Sequence, residues 1–222
     1  LDRFNALLKK ELASELRTRS GIYSTLLFAV LTTTAVGFTS IERAPSPLVA
    51  SALLWLVLGF ASVTGLARAF IVEEDQRTSD LLRLLSPPGP VFWAKLSYNF
   101  LLVLAVAAVV VPLHLIFESV HPENWPLLIV GTISGCGALA SGVTFCGSLV
   151  AKSSARGAIA GVICLPVLLP IIISGMGAIS GSFESSNSDV VIGAWKSVAA
   201  LAGLSLVFAG IGRQLFPFVW ES

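Results

Sequence analysis

Two imidazoles, three thiols and one leucine-faced segment are the places where this chain could do chemistry. His114 falls in the far third of a long apolar stretch, and His121 stands in the polar loop that follows it. Neutral imidazole is a good ligand for iron and other transition metals, so either residue is a candidate ligand. The ordinary readings stay open beside that one: an intramembrane His bonded to a neighbouring helix, and a loop His preceding Pro122. Cys136, Cys146 and Cys164 form no CxxC pair and no zinc spacing, and all lie in apolar sequence, where a thiol packs as a small hydrophobe. No GxxxxGK[ST] run occurs, so the chain cannot itself cradle nucleotide phosphates. No metalloprotease spacing and no Ser/Asp constellation supports catalysis, and we expect a chain that is not an enzyme.

The third candidate is Glu73–Leu85 with the Ser86-Pro87-Pro88 that follows. Thr78, Leu81, Leu82 and Leu85 recur at i, i+3, i+4 and i+7, the spacing of one helical face, while Asp80 and Arg83 point elsewhere. An acidic run, Glu73-Glu74-Asp75, precedes the face, and the proline pair ends the helix. Such a helix can lie in the groove of a soluble partner through its leucines and orient by its charges. It can equally be a plain interfacial loop helix.

The elements that must position these groups are membrane spans. Six stretches lack Asp, Glu, Lys and Arg: Ser20–Ile41, Ala44–Ala67, Leu96–Phe117, Asn124–Ala151, Gly157–Phe183 and Ser197–Gly212. About 20 apolar helical residues cross a bilayer core of ~30 Å. The last stretch reaches that length if it starts at Val190 and Lys196 snorkels to the interface. With 55% hydrophobic and 12% charged residues and a mean hydropathy of +0.87, the 222 residues leave no room for a second folded domain. We therefore expect one transmembrane domain over residues 1–222, with spans near Gly21–Phe38, Leu48–Val72, Val91–Phe117, Pro126–Val150, Ala158–Ser174 and Val190–Gly212. A net charge of +1 points to no nucleic-acid partner.

Of the 14 basic residues, all but Arg43 and Lys196 fall on one side of this arrangement. The positive-inside rule puts that side, with both termini, in the cytoplasm. Leu1, Phe4, Leu8, Leu12 and Leu16 form an apolar stripe, so residues 1–19 read as an amphipathic helix lying in the cytoplasmic interface rather than a signal peptide. Glu118 and Glu184 sit at or beyond the outer boundary, so the spans carry no acid that would mark a proton relay, which argues against a proton-driven transporter. Residues 175–189 are half apolar and half Gly/Ser, and read as a short outer helix or a re-entrant hairpin. Pro166 and Pro170, four residues apart inside the Ala158–Ser174 span, should kink it. Phe216, Phe218 and Trp220 should close the chain at the inner interface.

Three stretches carry a resemblance: KKELASELRTR, then LLWLVLGFASVTGLARAFIVEEDQRTSDLLRLLSPPGPVFWAKLSYN, then AKSSARGAIAGVICLPVLLPIIISG. The chain resembles an ABC-2 type membrane subunit, and specifically the CcmB family, the heme exporter permeases of cytochrome c maturation. The resemblance implies an all-α polytopic protein with six transmembrane helices, an interfacial amino-terminal helix, and a cytoplasmic coupling helix over residues 73–86. It implies a bacterial inner-membrane homodimer bound to a separate ABC ATPase through Glu73, Glu74, Asp75, Thr78, Asp80, Leu81, Leu82, Arg83 and Leu85. ATP would sit on that partner, and this chain would bind no cofactor of its own. Heme would be the substrate, handed to a periplasmic heme chaperone with other cytochrome c maturation membrane subunits. His114 and His121 would be the residues nearest the delivery side, although Trp125 and Trp195 stand alone and form no tryptophan-rich heme motif. In the family's usual Glu-Asp-Gly-(Ser/Thr)-Leu-Glu run, this chain has Arg77 in place of the glycine. An exporter of lipid, drug or glycan, and a non-transporting anchor that couples ATP hydrolysis to chaperone release, are the alternatives.

Overall fold

The structure is a computed structural model that describes residues 2–18, 20–39, 45–66, 86–150, 156–184 and 188–221. Among these residues there are seven helices: α1 (Asp2–Thr18), α2 (Ser20–Thr39), α3 (Pro47–Leu66), α4 (Pro88–Phe117), α5 (Trp125–Val150), α6 (Arg156–Phe183) and α7 (Ser188–Glu221). The all-α polytopic architecture expected from composition is present. Five helices are long and apolar enough to cross a membrane, or six if α1 and α2 together count as one span. Large apolar side chains such as Leu27, Phe60, Ile116, Ile173 and Leu206 point outward, as lipid-facing helices require.

Local signals set the helix starts. Ser46 precedes Pro47 and its Oγ accepts the Val49 N–H at 3.4 Å, capping α3. Asn124 does the same for α5, its Oδ1 accepting the Leu127 N–H at 3.1 Å. Pro88 also opens α4, three residues before the expected start at Val91. The first helical position needs no N–H, and proline's fixed φ suits it.

At its far end α4 closes in a Schellman turn. The Ser119 N–H reaches the Ile116 carbonyl at 3.4 Å, and the Val120 N–H reaches the Leu115 carbonyl at 3.3 Å. Ser119 takes the left-handed conformation this turn demands, at φ 52°.

The middle of the bundle is built on α5, which packs against α7, α6 and α4. Trp55 of α3 is fully buried and drives its indole between α5 and α6. Gly135 and Gly175 make the slot: a Cβ on either would overlap the Trp55 ring. Small residues let helices approach closely where no water is available to drive them together. The apolar core is continuous from α2 to α7.

One expectation needs correction, and two gain detail. Residues 175–183 form neither a separate outer helix nor a re-entrant hairpin; α6 runs on through Pro166 and Pro170 to Phe183. The glycines there are contact points and not a break, since Gly175 seats Trp55 and Gly181 lies against Ala194 of α7. Phe216 and Trp220 are buried. With Leu7 of α1 and Val91, Phe92 and Ala94 of α4 they form a second apolar core, while Phe218 stays outside it. On α1 the packed face takes in Leu7 beside Phe4, Leu8 and Leu12 of the expected stripe, and leaves Leu16 exposed, because α1 lies on α4 and α2.

Candidate functional site

The bundle carries a polar layer at each end. The first joins α1 to α4. Lys95 is 1% exposed, and its Nζ donates to Glu11 Oε1 at 3.5 Å. One helical turn further along each helix, the Tyr98 hydroxyl donates to Glu15 Oε2 at 3.1 Å. The other oxygen of Glu15 accepts the Ile22 N–H at 2.8 Å, so the same carboxylate caps the first turn of α2. An ammonium out of water is costly unless paired, so Lys95 holds α1 in one register on α4. Behind this layer Asn99, fully buried, donates to Thr144 Oγ1 of α5 at 2.8 Å, and Thr144 in turn donates to the Ala140 carbonyl at 2.6 Å.

The second layer lies at the other end of α4. His114 and Glu118 sit one turn apart, and each is 1% exposed. His114 faces the main chain of Ala50 on α3, and its Nε2 has no hydrogen-bond partner among the described residues. Sequence position alone puts Glu118 at or outside the boundary; the Schellman turn instead folds its side chain inward, and an acid does stand inside the packed bundle. Beyond it the Glu123 and Asn124 N–H groups both donate to the Ser182 carbonyl, at 2.9 and 3.0 Å, which fastens the loop to the end of α6.

The two histidines named from sequence are therefore separated in kind. His121 lies exposed in the loop after α4, open to a ligand, whereas His114 is sealed between α4 and α3. They are not part of a metal-binding cluster among the described residues. The cysteines are buried packing residues, as read from their surroundings. The coupling residues Glu73, Glu74, Asp75, Thr78, Asp80, Leu81, Leu82, Arg83 and Leu85 lie outside the described residues.

Span-by-span reading of the sequence does not single out the α1–α4 layer. A signal for it exists: Glu11 and Glu15 are four apart on one helix, and Lys95 and Tyr98 three apart on another, each pair on one face. Charge counting places Lys95 at the membrane margin only as a topology marker.

A family model described as CcmB protein matches residues 2–218. No match was found among curated proteins. A match from the first turn of α1 to the last turns of α7 takes in the whole helical bundle, and this multi-pass membrane chain belongs to the CcmB family, the heme exporter permeases of cytochrome c maturation.

Proposed function

We propose that this chain is the membrane subunit of an ABC-type complex that handles heme in cytochrome c-type biogenesis, and that a separate ATPase supplies the energy. The observation that carries this reading is the family match across residues 2–218 of a bundle of membrane helices. Two copies pair in a bacterial inner membrane, with the α1 end and both termini in the cytoplasm. Other maturation subunits and a heme chaperone complete the assembly. The 73–86 segment is the coupling helix. It stands in sequence between α3 and α4, and α4 is latched to α1 by Lys95 and Tyr98. Work delivered to that segment thus reaches three helices. Heme is the substrate, and His121 is its accessible candidate ligand.

A second reading has support from the packing. The pocket between α2, α3 and α4, lined by Thr25, Leu58 and Leu102, holds only about 10 Å³, room for a single water at most. Trp55 fills the neighbouring space between α3, α5 and α6. A route along the middle of one copy would have to displace that indole. The packing fits a pathway between copies, or a membrane anchor that transmits ATP hydrolysis to chaperone release without passing heme through itself.

The test is copurification in mild detergent, followed by assay of the ATPase. The wild-type chain should bring down an ABC ATPase, other cytochrome c maturation subunits and heme. D80K/L82D should still insert but lose the ATPase. An assembly that contains the ATPase but a lipid, drug or glycan pathway would overturn the heme reading, and unchanged ATPase recovery with D80K/L82D would overturn the coupling assignment.

A further inference from the structure

We infer that the α1 end of the bundle carries a binding site for an anionic phospholipid headgroup, best matched by the paired phosphates of cardiolipin. An open cleft of about 760 Å³ lies where the start of α1, the start of α4 and the last third of α7 converge. Arg3 reaches it from α1 and Arg213 from α7, while Phe4, Trp93 and Ser97 line it. Both arginines are exposed, and neither has an ion-pair partner among the described residues. The positive end of the α4 macrodipole faces the same cleft through Gly89 and Pro90.

Guanidinium groups bind phosphate through a planar fork of donors. Two of them on different helices offer two phosphate positions instead of one. The surroundings select a lipid over a soluble anion. Trp93 is 38% exposed, an aromatic of the kind that sits at headgroup level, and the outward faces of α4 and α7 beside the cleft present Leu101, Ile211 and Leu215 for acyl chains. Basic pockets between membrane helices are suited to cardiolipin for this combination of charge and flanking apolar surface. The inference is independent of what the complex transports, since it needs only that the bundle lies in a membrane.

The experiment is native mass spectrometry of the full chain in detergent, titrated with cardiolipin, phosphatidylglycerol or phosphatidylcholine, with inorganic phosphate as competitor. Cardiolipin should be retained in preference to phosphatidylcholine. R3Q/R213Q should weaken its binding roughly 30-fold, two cationic contacts being lost. R3K/R213K, which keeps the charge, should stay within roughly threefold of wild type. Equal cardiolipin retention by R3Q/R213Q would overturn the site. So would displacement by millimolar inorganic phosphate, which would make it a soluble-anion pocket. Unchanged lipid binding with loss of ATPase recruitment would assign the arginines to a protein partner and also defeat the inference.

Discussion

The Trp55 slot offers the sharpest test of how this bundle is held together. In a bilayer the helices gain little from leaving lipid, so close packing has to supply the cohesion. Gly135→Ala introduces a methyl group where the Trp55 ring already lies. Both neighbours are backbone-anchored and fully enclosed, so relief requires α3 and α5 to separate; overpacking of this kind costs about 1–3 kcal/mol. Trp55→Leu alone empties most of the slot and should cost about 3 kcal/mol, at the lower end for removal of a large aromatic because leucine refills part of the space. In the double variant the new methyl has room, and the two costs should fall short of their sum by about 1–2 kcal/mol. Unfolding by denaturant in detergent micelles, followed by tryptophan emission from the remaining indoles and by far-UV circular dichroism, would measure all four corners of the cycle. Strict additivity would show that Trp55 does not occupy the space between Gly135 and Gly175, and the proposed central packing would fall with it.

Further outcomes are expected from single contacts. Lys95→Met should destabilise the chain by about 1.5–3 kcal/mol by removing the enclosed partner of Glu11, which keeps the exposed Lys10. Lys10→Met, which removes the exposed partner of the same carboxylate, should change stability by less than about 0.5 kcal/mol in the same unfolding assay. Ser119→Gly should stabilise by about 0.5–1 kcal/mol, read as a higher melting temperature, because glycine takes the left-handed position without a Cβ penalty. The three native thiols, all buried, should resist a water-soluble maleimide in the folded protein and react only after denaturation. Cysteines introduced from Thr78 to Leu85 can then report which side of the membrane the coupling segment faces, and labelling from the outside would refute its assignment.

The all-α membrane class was legible because a water-soluble fold cannot hide so many charge-free runs of bilayer length, and the pattern of Arg and Lys ordered the loops around them. The chemistry at the helix ends was less legible. Glu118 looks like a boundary residue because its position along the chain gives no hint that a Schellman turn will tuck it beside His114. Lys95 looks like a topology marker because its partner, Glu11, lies on a helix 84 residues earlier, and pairings across such separations leave no local periodicity. The Gly/Ser-rich stretch after Ser174 misleads for a related reason. In a soluble protein those residues break helices, whereas here Gly175 and Gly181 are the surfaces on which Trp55 and Ala194 rest.

The double duty of Glu15 has a bearing on the order in which the protein is put together. Its contact with the Ile22 N–H is local and can form as soon as the first two helices emerge from the ribosome. Its contact with Tyr98 waits for a residue made 83 positions later. The nascent first span therefore carries its own cap into the bilayer, while the amino-terminal rod stays undocked until the third apolar segment arrives. In a chain that ends before residue 98, Glu15 would keep its cap on α2 and lack the contact that ties α1 to α4.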